Sequence, residues 1–344
     1  MKRIIEKMSY RRLISILICS SSLLFGNLCS AEQWSSAHRE SINAYIEEVA
    51  QQHDYSVETL KKYLGSSEYR QDILDAITHP AEAKPWYFYR SFFANDPKRL
   101  NNGLAFWKKH EQTLKQAEDK FGVPAQYIVA ILGIESMYGE IQGKYRVLDA
   151  LSTLAFAHPT RGKFFRDELT EYLLLLREHQ FSPDDLYGSY AGAFGQAQFM
   201  PSSYRNFAIS ADSKGHSDLV HNADDAIFSI ANYLRKNGWV PTQPVASKTK
   251  VTGQKYKDVV AKSRRYKLNL TQNQLAELNI KPDPNVPLDT KAMLIELQSN
   301  KLQKEYWLGF QNFYAITRYN PSANYAMAVY MLGNNLEKSY QQFV

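Results

Sequence analysis

The sequence predicts a mainly helical protein of the α+β class. Three observations carry that reading. Apolar residues recur at three- and four-residue spacing through residues 32–71 and again from Leu100 to Gly238. At Pro241 the composition switches to a segment rich in Val, Thr and Lys, the signature of short strands around polar turns. Helical spacing then returns at Tyr325–Leu332.

The elements follow in order. Between Glu32 and Gln71, the residues Ile42, Tyr45, Ile46 and Val49 form one helical stripe. A connector punctuated by Pro80, Pro85 and Pro97 comes next. Asn101–Phe121 reads as one helix. Pro124, suited to a first turn, opens another that Gly139 ends. Phe164–His179 and Asp224–Asn237 are further helices. Ala292–Leu297 and Tyr306–Phe310 read as strands, and Gly333 as the stop of the last helix. These shifts divide the chain into an N-terminal helical unit at 32–98, a core at 99–240, a small basic β-containing insert at 241–310 and a C-terminal segment at 311–344.

Residues 1–31 read as an export signal. Lys2, Arg3, Lys7, Arg11 and Arg12 form the basic start, Leu13–Leu28 is apolar, and Cys29-Ser30-Ala31 offers cleavage after Ala31. The expected location is periplasmic. Gly26-Asn27-Leu28 is a poor context for lipidation of Cys29, and the apolar stretch is shorter than the ~20 residues of a membrane span. The whole chain carries a formal charge of +6. Removing the leader takes five basic residues from 41 and one acidic residue from 35, leaving +2. Both cysteines, Cys19 and Cys29, leave with it, so disulfides, thiolate metal sites and a cysteine nucleophile are excluded from the mature protein. Aromatic residues make up 13% of the chain, which excludes a disordered protein. Residues 241–267 hold eight basic side chains against the single acid Asp258, so the remainder is slightly acidic. That stretch reads either as a solvated hairpin face or as a polyanion contact.

Two stretches could carry chemistry. In Val123–Gly139, Ile128, Ile131, Leu132 and Glu135 share one helical face, and Tyr138 extends it. An unpaired carboxylate on an apolar face near a helix C-terminus is expected to hold its proton, because burial and the helix dipole both disfavour the anion. A neutral carboxylic acid is what protonation of a glycosidic oxygen requires. Periodicity alone also fits an ion-paired glutamate at the edge of a stripe. The second stretch, Gly188–Tyr204, combines three glycines with Ser189, Gln196 and Gln198. Close backbone approach and neutral donors suit sugar hydroxyls and acetamides. A tight, glycine-packed connection between helices fits the same residues.

Together with Arg146–Phe156, Ala231–Trp239 and Ile316–Val329, these stretches resemble the membrane-bound lytic murein transglycosylase B family, in the same order over roughly residues 40–340. The resemblance implies a lysozyme-like core flanked by a helical domain and a small β domain. It implies cleavage of the β-1,4 bond between N-acetylmuramic acid and N-acetylglucosamine without water, leaving a 1,6-anhydro ring. It assigns both proton transfers to Glu135. It places Ser189, Gln198, Tyr233, Tyr319 and Asn320 in the sugar cleft and Tyr89 in the groove. Arg161 is left as a contact for stem-peptide carboxylates, since Thr160 stands where the family carries another arginine. A hydrolytic muramidase, a non-catalytic wall-binding or scaffold protein and a polyanion binder are the alternatives.

No cofactor is expected. Some members carry an acidic calcium loop, but Lys214 occupies a ligand position in the matching Ser210–Asp218 stretch, where an ammonium repels a cation. No metal is therefore expected there, and no His or Cys motif suggests zinc. The implied partners are glycan strands and other cell-wall enzymes, with no nucleic acid. Membrane association requires a retained or lipidated N-terminus.

Overall fold

The computed structural model describes residues 34–78, 84–212, 215–261 and 266–342. Ser35 caps α1 (Ser36–His53) by accepting from the His38 N–H, and Asp54 ends it in the left-handed region. The predicted stripe of Ile42, Tyr45, Ile46 and Val49 is its buried face. The helical stretch expected at 32–71 is therefore broken. α2 (Val57–Gly65) restarts behind a Ser56 cap, and α3 (Gln71–Ile77) follows. The proline-marked connector itself contains a helix, α4 (Trp86–Phe93), which starts directly after Pro85.

The helix expected at Asn101–Phe121 is two helices, α5 (Pro97–Lys109) and α6 (Glu111–Phe121), divided at His110. The His110 ring stacks on Phe106 and its Nδ1 lies 2.8 Å from Asp224. The Asp224 contact, 114 positions away, holds a break that local propensity does not announce. α7 (Ala125–Ser136) is buried nearly all round, with every residue of Tyr127–Gly133 in the core. α8 (Val147–Ala157) and α9 (Gly162–His179) pack on each other. A two-stranded ribbon of β1 (Tyr145–Arg146) and β2 (Tyr187–Gly188) precedes α10 (Pro201–Phe207) and α11 (Ala223–Lys236).

The insert is one antiparallel sheet in the order β3-β6-β5-β4, made of β3 (Ala246–Thr249), β4 (Leu270–Thr271), β5 (Lys291–Gln298) and β6 (Lys304–Gly309). The basic segment gives β3 but then a 3-10 turn at Lys255–Val259, where more strand was expected. Lys262, Arg264 and Arg265 lie outside the described residues. α12 (Gln272–Glu277) opens with a capping box between Thr271 and Gln274. Alternate side chains of β5 serve two cores. Ala292 and Leu294 join Leu275, Ile280, Leu308 and Phe310 in a small core, while Met293, Ile295 and Leu297 join the main one. The two-residue period of a strand accounts for the division, and burial on both faces for the apolar run Ala292–Ile295.

α13 (Gln311–Tyr319) and α14 (Ala323–Tyr340) return to the helical body. Gly333 does not stop α14. A Cβ there would meet the Tyr127 ring at 2.8 Å, so the glycine admits a neighbouring helix. α14 packs along α7, α4 and α5. Among the described residues no helix is long and apolar enough to cross a membrane.

Candidate active site

Glu135 occupies the last turn of α7 and is the half-exposed acid on a helix otherwise sealed in the core. Met137 and Tyr138 then take left-handed backbone, with φ of 50° and 64°. Tyr138 consequently does not extend the Glu135 face. Its hydroxyl donates to the Arg99 carbonyl at 2.8 Å, and its ring lies over Gly133 and Gly103, where no Cβ would fit. Ser136 fixes the turn by donating to the Gln196 carbonyl at 2.7 Å and accepting from the Gly139 N–H at 3.0 Å. The end of α7 is thereby tied to the glycine-rich segment.

The Glu135 carboxylate is not unpaired, contrary to the expectation from spacing. The Tyr325 hydroxyl, on the first turn of α14, donates to its Oε1 at 2.5 Å. Burial first, and then the neighbouring Glu135 charge, push the phenols of Tyr325 and Tyr319 well above their ordinary range. Both remain protonated at neutral pH and act as donors. Sequence spacing does not single out Tyr325. It begins an apolar helical run in the sequence, and 190 positions separate it from Glu135. No local spacing reports such a pair.

The structure gathers an aromatic wall beside this pair. The Tyr319 ring stacks on Tyr325 with centroids 6.2 Å apart, and Tyr233 meets Tyr319 edge-on at 4.8 Å. Phe199 touches both Tyr233 and Tyr319. The hydroxyls are anchored: Tyr233 donates to the Arg318 carbonyl at 2.5 Å and Tyr319 to the Ala197 carbonyl. Burial raises the Tyr233 phenol to about 12. Asn320 is the half-buried C-cap of α13, directly after this wall. Tyr89 is 2% exposed on α4, with its ring 4.4 Å from Phe93.

The glycine-rich segment is a folded loop, with Gly192 and Gly195 at positive φ. The Ser189 Oγ accepts from the Ala191 and Ala193 N–H groups at 3.3 and 3.2 Å. Its hydroxyl proton can therefore point outward. Gln198 spends its amide nitrogen on the carbonyls of Gln142 at 2.8 Å and Gly195 at 2.9 Å. What Gln198 can offer a ligand is its carboxamide oxygen. Arg161 is placed by other elements. It precedes α9, and its guanidinium lies over the rings of Phe164 and Phe165 at 4.7 and 4.9 Å. Glu140, the next acid after Glu135, is exposed and faces Asn102 at 3.2 Å and Lys98 at 3.9 Å.

Lys214, on which the calcium expectation rests, lies outside the described residues. Of the acids around it, Asp218 accepts from the Val220 and His221 N–H groups. Asp225 accepts from those of Ala211 and Asp218, both at 2.8 Å. Asp212 accepts from the Ser210 hydroxyl at 2.6 Å, so each of these three carboxylates takes part in the hydrogen bonding of the loop.

Comparison with known proteins agrees with this geometry. A family model described as "Transglycosylase SLT domain" matches residues 37–334. The chain is 36% identical over 307 residues to membrane-bound lytic murein transglycosylase B of Escherichia coli (strain K12), covering 86% of this chain and 82% of that one. The soluble lytic transglycosylase SltB1 from Pseudomonas aeruginosa superposes with a TM-score of 0.81 at 39% identity, over 88% of this chain and 99% of that one. SltB3 from Pseudomonas aeruginosa, solved in complex with NAG-NAM-pentapeptide, superposes with a TM-score of 0.75 at 26% identity, over 88% and 80%. With a buried helix ending in Glu135, an aromatic wall behind it and a family match across most of its length, this chain belongs to the transglycosylase SLT domain family.

Proposed function

We propose that this lytic transglycosylase cleaves the β-1,4 bond of peptidoglycan glycan strands with Glu135 as its single acid and base. The observation that supports this reading most is the Glu135 carboxyl at the end of a buried helix with one oxygen held by the Tyr325 hydroxyl. With Oε1 fixed, the proton moves at the other oxygen. Glu135 gives it to the glycosidic oxygen as the bond to C1 breaks. The carboxylate then takes the proton of the muramoyl C6 hydroxyl as that oxygen closes on C1. Acid and base are the same group, and no water is consumed. The attacking hydroxyl is already part of the reacting sugar, so its attack has an entropic advantage over capture of free water.

Tyr233, Tyr319 and Asn320 form the apolar and polar wall against which the sugars lie, and Tyr89, buried on α4, backs the groove without facing a sugar. The Ser189 hydroxyl and the Gln198 carboxamide oxygen receive their polar groups, and Arg161 meets a stem-peptide carboxylate. The protein is exported to the periplasm, with cleavage after Ala31 leaving Glu32 first. Residues 1–31 lie outside the described residues, and intact-mass measurement of periplasmic material tests the cleavage. Mass spectrometry of the muropeptides released from sacculi tests the chemistry. Anhydromuramoyl ends, each one water lighter than a hydrolysis product and free of label after digestion in ¹⁸O-water, are expected. Stoichiometric label at a reducible muramic end makes the protein a hydrolase.

A further inference from the structure

The β insert reaches the head of the helix that carries Tyr325. The first N–H groups of a helix have no partner within it and must find one elsewhere. At the start of α14 the Ala323 N–H donates to the Tyr266 hydroxyl at 2.7 Å, across 57 positions of sequence. The Asn324 side-chain amide donates to the Lys84 carbonyl, just before α4, at 3.0 Å. The Tyr325 N–H donates to the Oγ of the capping Ser322 at 3.4 Å. The local cap bond is long, so the bond to Tyr266 is the tighter constraint on the helix start.

Tyr266 is itself anchored. It is half-buried and packs, with Leu268, against the main core. The chain on either side of it is fixed to β5, since the Ala261 N–H donates to the Leu294 carbonyl at 2.8 Å and Leu270 pairs with Ala292. The insert also grips α4, because the Trp86 indole donates to Glu305 on β6 at 2.7 Å. Tyr325 lies two residues after Ala323, and its hydroxyl is the group that donates to Glu135 Oε1. That hydroxyl is the far end of a long side chain, so a small tilt of the first turn moves it further than it moves the backbone. Hydrogen bonds weaken steeply once they are misaligned.

We infer that Tyr266 is a positioning residue: by capping the start of α14 it sets the Tyr325 hydroxyl on Glu135. The insert thereby takes part in turnover through Tyr325. The proposal rests on the transglycosylase reading above and extends its machinery to a residue of the basic segment.

The test is a double-mutant cycle of Tyr266→Phe and Tyr325→Phe, read as turnover of purified sacculi across pH, with the melting temperature as the folding control. Tyr266→Phe keeps the ring and removes the acceptor of the Ala323 N–H. Expected are a kcat lowered about 3- to 10-fold, an unchanged KM, and an alkaline limb shifted in the same direction as in Tyr325→Phe. Adding Tyr266→Phe to Tyr325→Phe costs no further kcat. Ala323→Pro breaks the same bond from the donor side, at a first-turn position whose preceding residue is already extended, and also lowers kcat with KM unchanged. Tyr256→Phe removes a hydroxyl that meets Tyr306 at 3.1 Å inside the insert, and keeps wild-type kinetics. Wild-type kcat in Tyr266→Phe and Ala323→Pro, additive losses in the cycle, or an equal loss in Tyr256→Phe overturns the positioning role. A wild type that does not turn over sacculi refutes the enzymatic reading, and the positioning role with it. If the wild type is active and Tyr266→Phe matches it, the positioning role alone fails.

Discussion

Replacing Tyr325 by phenylalanine removes one oxygen and nothing else from the site. That oxygen donates to Glu135 Oε1 at 2.5 Å, on a residue that is 1% exposed, so water does not replace it readily. The ring stays stacked on Tyr319, and no cavity opens. A hydrogen bond to a charged group is worth about 1.5–3 kcal/mol, and each 1.4 kcal/mol is about tenfold in rate. If the bond holds the carboxyl in its reactive orientation throughout the reaction, kcat on sacculi falls by about 10- to 100-fold. KM is unchanged, because the sugar-facing wall is intact. Loss of a donor that favours the charged carboxylate also moves the alkaline limb of the pH–rate profile upward. The assay is turbidimetric clearance of purified sacculi across pH, with calorimetry as the folding control. Wild-type kcat with an unshifted profile in a folded Tyr325→Phe protein refutes the reasoning.

Other expectations follow from the same geometry. Glu135→Gln keeps the shape and removes the proton, so turnover of sacculi falls by about 10² or more, and near-normal turnover of the purified variant contradicts the assignment. Gly133→Ala drives a methyl into Tyr138 and displaces its bond to Arg99, costing about 1–3 kcal/mol, read as a melting temperature lowered by several degrees. The buried phenols, Tyr319 and Tyr325 among them, are raised above their unfolded value near 10. Above pH 10 the unfolded chain therefore binds fewer protons than the folded one, and stability, complete below pH 10, declines as pH rises. Denaturant titrations at pH 9 and 11 check that sign. Millimolar calcium leaves the melting temperature within a degree or so, because only a ligand bound by the folded state stabilises it. A rise of several degrees that Asp212→Ala abolishes shows that the Ser210–Asp218 loop binds the ion.

Much of this architecture is legible along the chain because it is local. The stripe Ile42, Tyr45, Ile46 and Val49 recurs with the helical period and is the buried face of α1. The strand read at Ala292–Leu297, apolar but for Glu296, lies inside β5, Lys291–Gln298. Glu135 stands out as an acid in an apolar helix, and the ordered motifs around it point to the family that the comparison shows. Each of these signals is written in neighbouring residues and survives without knowledge of what packs against them.

The remainder depends on contacts between segments far apart in sequence. The break at His110 is held by Asp224, 114 positions away, and Gly333 continues a helix where Tyr127 needs the space. Gln198 reads in sequence as a neutral donor and acceptor for sugars, but the carbonyls of Gln142 and Gly195 take its amide nitrogen. Glu135 looks unpaired until α14 brings Tyr325 to it across 190 positions. Residue types, helical preferences and the ordered family motifs are all readable along the chain, since propensity and periodicity act over a few residues. Which of those side chains meet is set by the folded chain, because hydrogen bonds and ring contacts depend on distance in space, and the packing of α7 against α14 sets that distance at the site.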